Sequence, residues 1–495
     1  MGASETAAEA APGGDLLFTA GALVAALLPR LYVAIAWARE PVWDGHYYDF
    51  GAKRIAAGLG YSDDVVIDGL AVWHPWCHYP VGYSGFLGLV YRVFGQGPHV
   101  ATVANALVGA LLCAVVHRLA RYATTKRRAM VAATLTALSP GLVVYSALLM
   151  TEPLAALGVV AAAWLFVRDP RPLRGGLWAG VVMGLAALVR PQSLLCAPAL
   201  ALLAWPAVGT WRARLLAAAR PAAIALVTSL LVVAPWTARN CRVMDGCALV
   251  STNAGWNLAI GAFPRATGRF ETLRAGDACP VVTGQVQQDR CWMHEGLRWI
   301  AERPGRWIGL MPAKLSFTFD HESFPMGYLG EADPVTWPEA RKAAGRELLS
   351  GVHRALLGLA ALGVIAWPFG RGMRVGERVV QGALLALALT LAARGLWADT
   401  HPAWVLAVLL PIVAALPLPG RPSNGGVVGY LAFAVASVAV THAVFFGEDR
   451  YHMVVTPALC LLAACALRGP AGPRPTASPV LREPGINEPG SRPPG

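Results

Sequence analysis

Charge is scarce in this sequence. Only 14% of its 495 residues are Asp, Glu, Lys or Arg, against about 25% in an ordinary soluble domain. Lysine is nearly missing, occurring only at Lys53, Lys126, Lys314 and Lys342, so arginine carries almost all the positive charge. That shortage excludes a water-soluble enzyme with a charged shell. It also speaks against a nucleic-acid partner, because the net charge of +12 sits in short stretches between apolar runs rather than on a basic face. The opening residues 1–15 hold no basic cluster, which argues against a cleaved signal peptide. No internal repeat with a period of about 20–50 residues is visible, so a solenoid is excluded.

Apolar residues are abundant, at 56% of the chain. A run of roughly 18 or more can cross the hydrocarbon layer as a helix. Such runs fall near 16–36, 98–117, 129–148, 152–167, 175–189, 191–208, 221–236, 353–368, 379–397, 402–417, 427–446 and 452–467. The expectation is an all-α integral membrane protein with about twelve transmembrane helices. The shorter apolar stretch Pro80–Phe94, with Arg92 and flanking Gly and Pro, reads as a helix lying along the membrane surface.

Lys and Arg stay on the cytoplasmic side of short loops. Arg118, Arg121, Lys126, Arg127 and Arg128 share one loop; Arg168, Arg171 and Arg174 another; then come Arg212, Arg214 and Arg220, then Arg371, Arg374 and Arg378, then Arg421 and a basic tail. With twelve spans all of these fall on one side. Both termini are then cytoplasmic, in the inner membrane of a bacterium, the source suggested by heavy Ala, Gly, Pro and Arg usage. The other side receives two long segments, 37–97 and 237–351, expected to carry juxtamembrane helices. The organisation expected is a tail at 1–15, an N-terminal membrane module at 16–236, the 237–351 loop, a C-terminal membrane module at 352–467, and a disordered Pro-, Gly- and Ser-rich tail at 468–495.

Nine cysteines divide by place. Cys113, Cys196, Cys460 and Cys465 sit on apolar runs and read as small packing residues. Cys241 with Cys247 and Cys279 with Cys291 lie in the second long segment, where disulfides within each couple are the simplest arrangement. Cys77 is left over, so the pairing stays open, and zinc at Cys77, His74 and His78 is an alternative to a thiol or disulfide. No other cluster has metal-ligand spacing. No metal ligand or cofactor is assigned, and a need for a divalent ion stays open.

The chemistry-bearing residues gather at span ends. Asp44, in Trp43-Asp44-Gly45-His46-Tyr47-Tyr48-Asp49, directly follows the first span. It reads either as the cap of a helix from about Gly45 to Ala57 or as a carboxylate whose basicity the membrane surface can tune. Asp49 reads as a weaker candidate on the solvated face of that helix. Glu152 opens a span, either complementing the helix dipole or serving function at membrane depth. Arg190, Arg239 and Arg450 break the positive-inside trend. Each alone can snorkel to headgroups, whereas the three together can hold a phosphate in two-pronged contacts. In the second long segment His294, Glu295, Lys314, Asp320, His321 and Glu322 read mostly as surface residues, contact with an acceptor being the alternative.

Seven motifs then resemble bacterial GT-C glycosyltransferases related to protein O-mannosyltransferases and aminoarabinose transferases. They are, in order, Asp44-x3-Tyr48-x3-Ala52 with Gly58-x-Gly60-Tyr61; His78-Tyr79-Pro80-Val81-Gly82-Tyr83; Thr151-Glu152-Pro153-Leu154; Gly184 to Pro191 around Arg190; Pro235-Trp236-Thr237-Ala238-Arg239-Asn240; Thr252-Asn253-Ala254-Gly255-Trp256-Asn257-Leu258; and Asp449-Arg450-Tyr451-His452. The resemblance implies a GT-C fold and transfer of a sugar from a polyprenyl-phosphate-linked donor to the hydroxyl of a glycan, lipid or protein. It implies that Asp44 is the general base and that Arg190, Arg239 and Arg450 face the leaving phosphate. Tyr48, Asp49, His78, Tyr79, Glu152, Asn253, Asn257 and Tyr451 are the further substrate-contact candidates. Relatives often carry a second acid beside the first, where this chain has Gly45. The rival readings are a multi-span transporter or lipid-linked-sugar flippase, and a polysaccharide polymerase. The missing half-to-half repeat weighs against the first, and the acid after the first span against the second.

Overall fold

The structure, a computed structural model, describes residues 12–205, 210–366, 375–416 and 426–467. Most of the expected N-terminal tail, the whole tail at 468–495, and Arg371, Arg374 and Arg421 lie outside the described residues.

Over their described residues the twelve apolar runs are mostly helical, but they are not twelve equal rods. Among the described residues, six helices are long and apolar enough to cross a membrane, or seven when the bent pair Lys126–Leu138 and Pro140–Ala147 counts as one. The run at 191–208 breaks into three short pieces, Pro191–Leu195, Cys196–Ala199 and Leu200–Ala204. The last run divides into Tyr451–Val454 and Thr456–Ala464, and the helix expected at 353–368 already begins at Glu339.

The 51° bend after Leu138 has a local cause. Pro140 has no N–H to give to the Thr136 carbonyl one turn back. Arg30, fully buried in the helix Pro12–Ala36, takes over: its Nη2 donates to Thr136 O (3.0 Å) and its Nη1 to Ala137 O (2.8 Å). Gly109 leaves the room, since a Cβ there would stand 2.7 Å from Arg30 Nε. A buried guanidinium thus satisfies the carbonyls that the proline frees.

Close helix approach rests on small residues. On Pro172–Val189, a Cβ at Gly176, Gly180 or Gly184 would come within 2.7, 2.6 and 2.6 Å of Pro221 O, Ala225 O and Val232 Cβ on Trp211–Val243. This four-residue glycine row lets two helix backbones touch, the usual route to tight packing where lipid removes the hydrophobic drive. It sets the position of Arg190, which follows that helix directly.

The first long segment holds the helices Asp44–Ala56 and Val81–Phe94, joined by an antiparallel hairpin, Ser62–Ile67 with Leu70–Pro75. The hairpin corrects the all-α expectation. Its turn is Asp68-Gly69, with φ of 50° and 79° at the two residues. An Asp-Gly pair between apolar residues is the favoured two-residue hairpin turn. The second long segment carries Ala254–Ala262, Gln285–Glu302, Pro304–Phe319 and Phe324–Ala332, with disulfides Cys241–Cys247 and Cys279–Cys291. The two segments are joined at Cys77, whose O accepts from Thr252 N (3.0 Å) and whose N donates to Gln285 Oε1 (2.8 Å). Cys77 is a buried free thiol. His74 bonds instead with Asp63, Nδ1 to Oδ1 at 2.7 Å, so Cys77, His74 and His78 do not form the alternative zinc cluster.

Candidate active site

Asp44 is the first residue of its helix, not its cap. The cap position is Trp43, held at φ 51° without a side-chain bond to the helix. For a bulky residue this backbone is strained, and such strain gathers at functional sites. It leaves the Asp44 carboxylate free of capping work. Tyr79 Oη donates to Oδ1 (2.6 Å) and Arg450 Nη1 donates to Oδ2 (2.5 Å). Burial pushes the Asp44 pKa up, but the Arg450 charge and the two hydrogen bonds outweigh it and hold the group below the ordinary carboxylate range. Its place in the first helical turn favours the anion further.

The missing second acid also has a reason. A Cβ at Gly45 would lie 2.4 Å from Tyr328 Oη and 3.1 Å from Leu149 O, so no side chain fits. Tyr328 Oη in turn accepts from Val42 N (3.3 Å), bracing the strained entry to the helix. Asp49 does not fill the role. Contrary to the expectation of a solvated face, it is buried, accepting from Tyr91 Oη (2.5 Å) and pairing with Lys53 Nζ (2.6 Å). Helix position 49 points inward because the helix packs on Val81–Phe94, which carries Tyr91.

A second acid–arginine pair stands close by. Arg190 Nη1 donates to Glu152 Oε1 (2.6 Å) and Thr151 Oγ1 (3.0 Å). With the Gln192 amide turned so that its oxygen faces the guanidinium, that oxygen accepts from Arg190 Nε (2.9 Å) and Nη2 (3.0 Å). Tyr451 lies between the pairs, with the Arg190 and Arg450 guanidinium carbons each 5.1 Å from its ring centre. Tyr48 feels both. Burial raises its hydroxyl pKa, with the Asp44 and Glu152 charges adding and Arg450 and Arg190 opposing.

Arg450 is shared among several groups. Besides Asp44 it pairs through Nε with Glu448 Oε2 (2.5 Å), and its Nη2 donates to Tyr451 Oη (3.3 Å). Burial raises Glu448 to about 7 against the pull of Arg450. Asp449 works on the other side, accepting from the backbone N–H of Ser323 and of Phe324 (the latter 2.7 Å) and capping Phe324–Ala332. The Phe324 ring lies 4.9 Å from the Arg450 guanidinium.

Arg239 has different partners from Arg190 and Arg450. Arg239 donates to Trp76 O (2.9 Å) and Tyr61 O (2.7 Å) and stacks on Trp236 at 4.7 Å, bracing the two ends of the hairpin. It contacts none of Asp44, Arg190 and Arg450. His78 packs edge-on against Tyr79 and Trp256, and burial holds it below its ordinary pKa with the Asp44 charge opposing. Asn253 precedes the helix Ala254–Ala262 and its Oδ1 accepts from Ser251 Oγ (3.0 Å), while Asn257 is half-buried one turn further on. Of the residues read as surface, Lys314, Asp320 and Glu322 are buried. Lys314 donates to Val444 O (3.1 Å), and Asp320 meets Arg354 (2.8 Å) and His401 (3.0 Å). His294 is exposed, and Glu295 and His321 are half-buried.

Residues 78–238 match the family of dolichyl-phosphate-mannose-protein mannosyltransferases. The match fits the GT-C relation read from the motifs. It takes in Tyr79, Glu152 and Arg190, with Asp44 before it and Arg450 after it. No curated protein matches the chain. Among solved structures, similarity extends to the oligosaccharyltransferase of Archaeoglobus fulgidus tethered with an acceptor peptide, at 16% identity and TM-score 0.42, over 90% of this chain and 49% of that one. ArnT from Cupriavidus metallidurans bound to undecaprenyl phosphate is similar at 17% identity and TM-score 0.35, over 92% and 78%. The chain thus spans about half the length of the archaeal enzyme.

Three contributors escaped the sequence reading. Gln192 and Glu448 each sit two residues from an arginine already singled out, so inspection of Arg190-Pro191-Gln192 and Glu448-Asp449-Arg450 could have found them. Phe324 follows no local pattern that points to Arg450.

Proposed function

We propose that this chain is a membrane glycosyltransferase that moves a sugar from a polyprenyl-phosphate-linked donor to an acceptor hydroxyl. The observation that carries the reading is Asp44, held by Tyr79 and ion-paired with an arginine that three other groups also contact. The match to a family named for a dolichyl-phosphate-mannose donor supports the donor class. The acceptor, a glycan, lipid or protein, presents its O–H to Asp44. Its oxygen bonds to the anomeric carbon, the bond from that carbon to the phosphate oxygen breaks, and the proton passes to Asp44. The departing polyprenyl phosphate gains charge, which Arg450 meets; such aimed charge stabilisation is commonly the largest catalytic effect.

The sharing of Arg450 has a chemical consequence. Alone with Arg450, Asp44 is a stable anion and a weak base. A donor phosphate that draws Arg450 toward itself loosens that pair and raises the basicity of Asp44 when the substrate is in place. Arg190, ion-paired with Glu152, extends the anion site past Tyr451. His78, Asn253 and Asn257 lie on the side where the second long segment meets the first, and they are assigned to the acceptor. Arg239 is assigned to holding the hairpin.

The same reading includes the finer topology: twelve crossings, both termini cytoplasmic, and the site on the external face of the inner membrane. The module 16–236 then supplies the base and the module 352–467 the shared arginine. The test is to incubate purified protein in sealed liposomes with defined polyprenyl-phosphate sugars and a panel of hydroxyl acceptors. Release of polyprenyl phosphate together with a glycosylated acceptor is expected. Movement of intact lipid-linked sugar across the bilayer without release would favour the flippase instead.

A further inference from the structure

A second polar cluster lies two residues beyond Arg450 and takes no part in the chemistry above. Glu322, His353 and His452 come from three distant parts of the chain, and one ligand atom of each lies within 4.8 Å of the others. All three are more than nine-tenths buried, at 5%, 2% and 0% exposure. The imidazoles stack with centres 3.8 Å apart.

Each imidazole is oriented by a backbone carbonyl. His452 Nδ1 meets Thr318 O at 2.7 Å, and His353 Nε2 meets Phe319 O at 2.9 Å. A carbonyl only accepts, so those nitrogens carry the protons. His452 Nε2 and His353 Nδ1 are left as lone-pair donors. Metal-bound histidines show this arrangement, with the second ring nitrogen donating to a carbonyl that sets tautomer and orientation.

Two atoms of the cluster have no hydrogen-bond partner: His452 Nε2 and Glu322 Oε1. The nearest approach between those two residues is 4.0 Å, from Nε2 to Glu322 Oε2, too long for a hydrogen bond. Gly141 makes room for the carboxylate, since a Cβ there would fall 1.8 Å from Oε1.

We propose that Glu322, His353 and His452 form a binding site for a divalent transition-metal ion, zinc foremost, that ties the Arg450 segment to the helix Glu339–Ala366. Two imidazoles and a carboxylate are a donor set that zinc accepts, and such a set leaves a fourth position open. In a tetrahedral site with bonds of roughly 2.1 Å the ligand atoms stand about 3.4 Å apart, so loading draws the three side chains inward. The ion would meet both unpartnered atoms and hold His452, hence Arg450, in register with Glu322. The site differs from the Cys77, His74 and His78 alternative in every residue, and it does not depend on the proposed transferase chemistry.

The test uses the full chain purified without a histidine tag, stripped by a chelator, and titrated with zinc or cobalt in detergent. Wild type is expected to retain one zinc after gel filtration. Glu322→Gln and His353→Gln are each expected to weaken zinc by more than about 100-fold, beyond what losing a merely supporting residue costs. Glu322→Gln nearly conserves volume, so it serves if the histidine variant does not fold. The cobalt spectrum is expected to show d–d bands without thiolate charge transfer. No retained metal in wild type, unchanged affinity in Glu322→Gln, or a thiolate band pointing to Cys77 would each overturn the proposal.

Discussion

Two acid–arginine pairs flank Tyr451, and they differ in access. Glu152 is completely buried against Arg190, while Asp44 keeps 21% of its side chain exposed against Arg450. The contacts are nearly equal, at 2.6 and 2.5 Å. Arg190 bonds with Glu152, Thr151 and Gln192. Arg450 is divided among Asp44, Glu448 and Tyr451. On the proposed function, the first pair is an anchor and the second a reactive element. Solvent access and competition for the guanidinium set them apart in the structure.

The comparison breaks first at Asp44. Asp44→Asn removes the base but keeps the shape, and a loss of about 10²–10⁴-fold in single-turnover sugar transfer is expected. A variant retaining full turnover would end the assignment. Glu152→Gln attacks the anchor instead. It leaves Arg190 buried without its counter-charge, and breaking such a pair costs about 3–5 kcal/mol. The expected outcome is a large drop in thermal stability, with a smaller loss in rate per folded molecule than Asp44→Asn gives. Equal losses in rate would show that the two acids do the same job.

Gly45→Ala probes the space beside the base. Its Cβ must displace the Tyr328 hydroxyl, and overpacking of this sort costs about 1–3 kcal/mol. Adding Tyr328→Phe should recover part of the loss in a melting assay; no recovery would point to the Leu149 carbonyl instead. A further effect is expected from pH. Glu448 has its pKa raised from 4.5 to about 7 in the folded chain. A raised acid contributes stability below its unfolded value that is lost as pH climbs through the folded one. Thermal stability should therefore decline between about pH 4.5 and 7, and Glu448→Gln should flatten that part of the profile.

Much of this site was legible before any coordinates. Asp44, Tyr79, Glu152, Arg190, Arg450 and Tyr451 stand in ordered motifs at the ends of apolar runs, and the fold brings them together. The hairpin was also written in the chain, as Asp68-Gly69 between apolar residues, but its signal is short beside the long helical runs. Other features had no local signature. Asp49 looks solvent-facing until Tyr91 and Lys53 close over it. That Arg239 bonds to two carbonyls, at Tyr61 and Trp76, could not be read from its motif.

Composition and periodicity by themselves determined that this chain is helical and built for a membrane, because burying apolar length is a property of each segment alone. Position along those segments determined which acids and arginines could meet at a span end. Only the tertiary structure decided which of them do. Arg450 comes to Asp44 across 406 residues, and Glu322, His353 and His452 converge from segments whose sequences say nothing of one another. Hydrogen bonds and charge pairs act over a few ångströms, and for residues so far apart in the chain that distance is set by packing.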